Sequence, residues 1–319
     1  MDPKIELVIN RSEITAGTRG AALGPEAIKV AARAAGNDFF NRFDSTDIPD
    51  ENHLIDQSTD FRYAKRIDGL LRIYERLTET VSSILKHGNI PLVIAADHGS
   101  AGGTVAGIRK AYPEAKLGIV WIDAHADIHS PYTTPSGNLH GMPVATILNS
   151  DNKRAGDNAL DDSSVEAWET LKSFGVKGPK MLPEHLVYVA VRDTEPEEDS
   201  IMEELSIRNF RVDEVRSLGV ENTMKCIFDR LSDCDLIYVS FDVDSMDPDL
   251  TSYGTGTPVK GGLTEEEAAG ILEGLALDER TRCMEFVEVN PCLDEKKNKM
   301  AEVTFGLIKR TVSALQNRG

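Results

Sequence analysis

The sequence predicts an α/β protein whose mainly parallel sheet is covered by helices on both faces. Three observations predict it. Short apolar runs alternate with amphipathic segments almost to the end of the chain, the pattern of strand–helix–strand crossovers. Four of those runs deliver acidic or imidazole side chains at their carboxyl ends, where open α/β sheets bind ligands. No repeat and no linker-like stretch interrupts the 319 residues, so one domain over residues 1–319 is expected.

Ile5–Asn10 reads as the first strand. The loop at 17–24 leads to Pro25, a good first-turn residue, and a helix that Gly36 can cap. Residues 37–60 are polar and acidic and read as a surface excursion. Helical periodicity over 62–86 ends at Gly88. Residues 91–96 form a strand, followed by Asp97-His98, a glycine-rich turn and a helix near 104–111. Leu117–Ile122 is apolar throughout and reads as a buried parallel strand. A helix over about 142–148 precedes residues 150–164, which are rich in Asp and Asn and read as an exposed insertion. Beyond a helix near 165–174, strands are expected at 186–191, 210–212, 236–241 and 283–289. The intervening helices fall near 222–231 and 264–277, where Thr264 and Glu267 make a capping box. The last helix covers about 298–315.

The stretch that organises the chemistry is Asp123-Ala-His125-Ala-Asp127, straight after the third strand. If the chain stays extended there, the three side chains point to one side. Converging carboxylates and an imidazole are costly to desolvate unless something positive holds them, and a divalent metal is the simplest choice; a plain polar loop is the alternative. The other strand ends add His98, Asp242 and Asp244. Six protein ligands are too many for one catalytic ion but suit two ions with bridging carboxylates. Their oxygen-rich, thiolate-free character favours Mn²⁺ over a structural zinc site, and such a pair makes hydroxide available near neutral pH. Asp97 either orients His98 or caps the next helix. Residues 133–141 (Thr-Thr-Pro-Ser-Gly-Asn-Leu-His-Gly) suit a bound carboxylate or a helix N-terminus. Histidine ordinarily titrates near neutrality, which makes His140 a candidate general acid or base. Glu288 ends a strand deep in the sheet and either pairs with a structural arginine or awaits a cationic substrate.

Composition narrows the function further. With 35 basic and 53 acidic residues, the net charge is −18, which argues against nucleic-acid binding and does not repel a cationic substrate. The N-terminus has no basic segment followed by an apolar core, and no apolar run approaches the ~18–20 residues of a membrane span. Four cysteines without a Cys-x-x-Cys pair read as reduced, mostly buried thiols. A cytoplasmic enzyme is the expectation.

The motifs Asp97-His98, 121–127 (Trp-Ile-Asp-Ala-His-Ala-Asp), 240–248 (Ser-Phe-Asp-Val-Asp-Ser-Met-Asp-Pro), 254–258 (Gly-Thr-Gly-Thr-Pro) and 288–291 (Glu-Val-Asn-Pro) occur in that order. Together they resemble the ureohydrolase superfamily and, within it, the arginase family; residues 19–25 look similar too. The resemblance implies a single-domain three-layer α/β/α fold with about eight strands. It implies one manganese on His98, Asp123, Asp127 and Asp242, and a second on His125, Asp123, Asp242 and Asp244. A hydroxide between them would attack the guanidinium carbon of L-arginine to give L-ornithine and urea. Glu288 would pair with the guanidinium, with Thr257 nearby, and His140 would shuttle a proton. Thr134, Ser136 and Asn138 match the loop that holds an α-carboxylate, while Glu195, assisted by Glu198, stands near the α-amino group; their alternative is an acidic helix start. A trimer or hexamer is implied as well. Three departures from the family pattern are Ala95-Ala-Asp-His-Gly99 for Gly-Gly-Asp-His-Ser, His129 for an Asn, and Glu195 for an Asp. The alternatives are another ureohydrolase (agmatinase, guanidinobutyrase or formimidoylglutamase type) or a non-catalytic member. A binuclear phosphatase would need a basic phosphate grip that these loops lack.

Overall fold

Eight strands form one sheet: β1 (Ile5–Asn10), β2 (Ser45–Ile48), β3 (Ile90–Ala95), β4 (Leu117–Ile122), β5 (Leu186–Val189), β6 (Arg208–Phe210), β7 (Leu236–Asp242) and β8 (Thr281–Val287). Their order is β2-β1-β3-β8-β7-β4-β5-β6. Every pairing is parallel. The structure, a computed structural model, describes residues 4–318.

Alternating side chains feed two cores. Val120 and Ile122 of β4, with Val239 and Phe241 of β7, pack against α1 (Gly24–Ala34) and against other helices later in the chain. Trp121 and Ile119 face the opposite core, under α2 (Ile67–Lys86), α3 (Ala101–Ala111), α4 (Pro143–Leu148) and α5 (Asp162–Ser173). A short α6 (Pro196–Glu204) follows β5. The first core is completed by α7 (Val212–Leu218), α8 (Val220–Arg230), α9 (Glu265–Leu277) and α10 (Lys299–Gln316). Both faces are therefore covered, as a parallel sheet requires.

Three expectations need correction, and a fourth gains detail. The acidic excursion at 37–60 contains β2, an edge strand whose only buried residue is Ile48; a strand that buries one side chain leaves no alternation to read. The strand expected at 210–212 lies at Arg208–Phe210, because Arg211 is the N-cap of α7 and Val212 turns into its first residue. The stretch at 150–164 is mostly exposed or half-buried, as expected, but it is also anchored. Asp151 accepts from Trp168 Nε1 at 3.0 Å and Lys172 Nζ at 2.5 Å, Asn158 Nδ2 donates to the carbonyls of Pro131 and Thr134, and Asp161 caps α5. Finally, only Cys234 and Cys283 are buried; Cys226 and Cys292 are exposed, and all four are free.

One contact ties the packing directly to the pocket. Gly24, at the start of α1, lies so close to the strand exit that a Cβ there would overlap the Val289 carbonyl oxygen, one residue beyond Glu288. Gly24→Ala is expected to cost about 1–3 kcal/mol, as overpacking does, and to reduce activity by shifting Glu288. Urea denaturation and product release together test this; an unchanged midpoint would show that the backbone has room to spare.

Candidate metal centre and active site

Four strand ends build the pocket. Asp123 follows β4, one residue past Ile122 and on the side of Trp121, whose indole Nε1 donates to Asp123 Oδ2 at 3.0 Å. Beyond it the chain bends, with Asp127 at φ 50°. Asp242 is the last residue of β7, and its Oδ1 accepts the backbone N–H of Asp244 at 2.8 Å, so a short turn presents both carboxylates. His98 opens the turn after β3. Glu288 stands just after β8 at φ 69°, a left-handed conformation that a residue with this side chain rarely adopts.

These residues meet. His98 Nδ1 lies 3.0 Å from Asp123 Oδ2, 3.0 Å from Asp127 Oδ2 and 3.3 Å from Asp242 Oδ2. On the other side, His125 Nδ1 is 3.0 Å from Asp244 Oδ2 and 3.5 Å from Asp123 Oδ1. His98, Asp123 and Asp127 form one candidate metal-holding group, and Asp123, His125 and Asp244 another. Asp123 belongs to both and turns a different oxygen to each. His98 Nδ1 is buried and makes no hydrogen bond, and no lysine or arginine lines the cavity to offset the aspartates. A cation fits this donor set on chemical grounds.

Burial and mutual repulsion shift the titration of these groups. Burial, then the charges of Asp244 and Asp123, hold the Asp242 carboxyl well above its usual range. Burial and the charge of Asp123 push Asp127 up to about 6. Burial opposes protonation of both imidazoles, yet their aspartate neighbours hold His98 and His125 well above the usual value.

Around this cluster lies a cavity of about 300 Å³. Its lining includes His129, Thr134, Ser136, Asn138, His140, Glu195, Glu198, Thr257 and Glu288, so the structure brings every sequence-predicted site residue but the deeply buried Asp123 to one surface. Thr134 Oγ1 accepts the N–H groups of Ser136 and Gly137, and Ser136 Oγ accepts that of Asn138; each hydroxyl proton stays free to point into the cavity. Asn138 Oδ1 lies 3.5 Å from Lys65 Nζ. His129 bridges to the opposite wall: its Nδ1 meets Thr133 Oγ1 at 2.9 Å and its Nε2 meets Glu195 Oε2 at 3.2 Å. Glu195 and Glu198 form the capping box of α6, so the helix-start reading holds, and both also line the cavity. The His129 contact draws Glu195 down to about 2, while burial and the neighbouring Glu195 push Glu198 up to about 9. Thr257 Oγ1 donates to Asp244 Oδ2 at 3.1 Å. Desolvation and the charges of His125 and His98 bring His140 down to about 4.

Asp97 does neither job expected of it. Its Oδ2 accepts the Thr15 N–H at 2.9 Å, it makes no side-chain cap, and His98 is instead oriented by Ser240 Oγ, 2.7 Å from Nε2. Sequence reasoning gave Ser240 and Trp121 no role, although each precedes an aspartate by two residues and so shares its side of the strand. Trp121 stacks on His98 with ring centroids 4.1 Å apart. Arg192 was overlooked too. Its guanidinium donates to the carbonyls of Ala190, Asp244, Ser245, Val259 and Lys260, joining the loops after β5 and β7.

Such a carboxylate-lined pocket, beyond the carboxyl ends of a parallel sheet, is that of a metal-dependent hydrolase. The family model described as the arginase family matches residues 8–313. Arginase from Bacillus caldovelox is 34% identical over 91% of both chains. Arginase-1 from Homo sapiens is 34% identical over 81% of this chain and 76% of its own. The native structure of the Bacillus caldovelox protein superposes with a TM-score of 0.81 at 32% identity, covering 98% of each chain. This chain belongs to the arginase family.

The titrations generate a prediction. Without a cation, Asp127 and both imidazoles favour their protonated forms in the fold. That preference contributes stability below the unfolded values of 3.8 and 6.5 and is lost as pH rises through the higher folded ones. A bound cation reverses this, since it needs deprotonated ligands. The melting-temperature gap between metal-loaded and chelator-stripped protein should therefore widen from pH 5 to pH 8. Calorimetry showing a constant gap would contradict it.

Proposed function

We propose that this protein is a manganese-dependent arginase, hydrolysing L-arginine to L-ornithine and urea. One observation carries the reading: Asp123 presents one oxygen toward His98 and the other toward His125, the arrangement of a carboxylate shared between two cations. His98, Asp123, Asp127 and Asp242 would hold one Mn²⁺, and His125, Asp123, Asp242 and Asp244 the other. Two such ions supply Lewis acidity that makes hydroxide available near neutral pH.

The chain's own residues account for the rest. Glu288 Oε1 accepts the His98 N–H at 2.8 Å, which fixes the carboxylate and leaves its other oxygen for a guanidinium. Burial and Asp97 hold the Glu288 carboxyl well above its ordinary value, and a cationic substrate removes that cost by supplying the missing charge. Hydrolysis joins oxygen to the guanidinium carbon and breaks one carbon–nitrogen bond; the departing nitrogen needs a proton. His140 lines the cavity 4.0 Å from Glu288; held neutral by its surroundings, it would take up a proton and pass it to that nitrogen. At the far end, His129 with the free hydroxyl protons of Thr134 and Ser136 and the Asn138 amide suits an α-carboxylate. Glu195 and Glu198 suit the α-ammonium, and Thr257 holds Asp244 in place. A guanidino amino acid complements these groups at both ends.

The whole chain would act as one catalytic domain, assembling as a cytoplasmic homo-oligomer, a trimer or hexamer by family resemblance. Among the described residues, no helix is long and apolar enough to cross a membrane.

Urea release from arginine, agmatine, guanidinobutyrate and formimidoylglutamate, each with Mn²⁺, tests the substrate. Arginine should be preferred; preference for a guanidine without the α-carboxylate would remove the arginase reading and leave a ureohydrolase. His140→Ala should lower kcat by about 10²–10⁴-fold, the usual contribution of a proton-transfer group, with bound metal unchanged. His125→Ala should lose metal and activity together.

A further inference from the structure

Beneath the metal centre the sheet buries a carboxyl group that lies outside the pocket. Glu285 stands on β8, which β3 and β7 flank, and it is 0% exposed. Its Oε2 accepts the Tyr238 hydroxyl at 2.6 Å, and its Oε1 makes no hydrogen bond among the described residues. Burial raises this carboxyl above its ordinary value, against the hydroxyls of Tyr238 and Thr104 and the charge of His98. A buried carboxyl without a lysine or arginine beside it costs stability. An apolar residue would fill a central strand without that penalty.

The neighbours of Glu285 lead to His98. Glu285 pairs in register with Ser240 on β7, so the two side chains stand next to each other on one side of the sheet. Tyr238, two residues before Ser240, shares that side. Ser240 Oγ lies 2.7 Å from His98 Nε2, while Nδ1 of the same ring faces the aspartates. Burial holds the Tyr238 phenol well above its ordinary value and the Ser240 hydroxyl opposes this, which turns the Ser240 proton toward the phenol oxygen. With a cation on Nδ1, the ring proton of His98 stays on Nε2. Donation then points one way: His98 Nε2–H to Ser240 Oγ, the Ser240 proton toward the Tyr238 oxygen, and Tyr238 O–H to Glu285 Oε2.

We propose that Glu285 is a positioning residue for the cation on His98, acting through Tyr238 and Ser240. The proposal rests on the two-cation reading of the site. A ligating histidine that sends its other N–H toward a carboxylate is fixed in tautomer and becomes a more basic ligand. Here two hydroxyls carry the polarisation, and in a medium of low dielectric each strengthens the next. The buried carboxylate finds its counter-charge in the cation at the other end. The imidazole of His125 faces Asp123, Asp244 and Asp193 instead, so the effect falls on one ion of the two.

The test equilibrates the full chain with chelator-buffered Mn²⁺ at falling free concentrations. Bound metal is counted by atomic absorption, and the spin-coupled ion pair is followed by electron paramagnetic resonance. Glu285→Gln should release one ion at a free Mn²⁺ concentration about tenfold higher or more than the native protein does, leaving the spectrum of an isolated Mn²⁺. Urea release should fall at limiting Mn²⁺ and return at saturating Mn²⁺, a rescue that a packing defect would not give. Tyr238→Phe should do the same, and the double variant should lose no more than either single one, because both break one chain. Tyr238→Phe deletes a single oxygen and so carries the test if Glu285→Gln fails to fold. A native chain that binds fewer than two ions would overturn the two-cation reading and this proposal together. Two ions in the native protein that both variants hold equally tightly, or losses that add in the double variant, would overturn the proposal alone.

Discussion

Four aspartates and two histidines share one buried pocket, and the rest of the active-site end answers to that constraint. At an effective dielectric near 20, two like charges about 4 Å apart repel by about 4 kcal/mol. A few such pairs rival the whole ~5–15 kcal/mol by which a domain is stable. The fold therefore cannot hold these groups by local preference; it over-determines them. Trp121 fixes Asp123, Ser240 fixes His98, and the backbone of Asp244 and Ala124 fixes Asp242 and Asp244 in turn. The all-parallel sheet makes the convergence possible, since every strand ends on the same side. The same economy explains Glu288, whose left-handed backbone and single hydrogen bond to the His98 N–H keep a carboxylate ready beside the cluster.

How much of this was legible depended on how each residue is held. β4 and β7 were plain because both faces of those strands are buried, so they are apolar until the residue that turns polar for chemistry. β2 was hidden because an edge strand with three exposed side chains looks like a loop. The start of α6 was legible only as one of two readings of Glu195 and Glu198, and α7 was missed because seven residues opening on a valine carry little periodicity. Within the site, the proposed ligands were readable from their two-residue spacing. Ser240 and Arg192 were not, because they act through contacts between segments far apart in sequence, and spacing records nothing of those. The acidic stretch at 150–164 is exposed as its polarity suggested, but its anchoring was not legible for the same reason: Asp151 and Asn158 bond to buried Lys172 and to backbone elsewhere.

The substrate end departs most from the family pattern and is also where the walls touch. His129 joins the 130s loop to the start of α6 through Thr133 and Glu195. An asparagine there would leave the two walls independent. In this chain the two walls are one hydrogen-bonded unit, so a substitution on either side is felt on the other.

Arg192 carries a consequence for redesign. Because one guanidinium gathers carbonyls from the loops after β5 and β7 and from Val259 and Lys260, these segments are not interchangeable modules. A loop graft at 245–260 would need to bring back the same carbonyl constellation, or leave a half-buried guanidinium without partners beside the pocket. Altered substrate range is more accessible through side chains facing the cavity than through transplanted backbone.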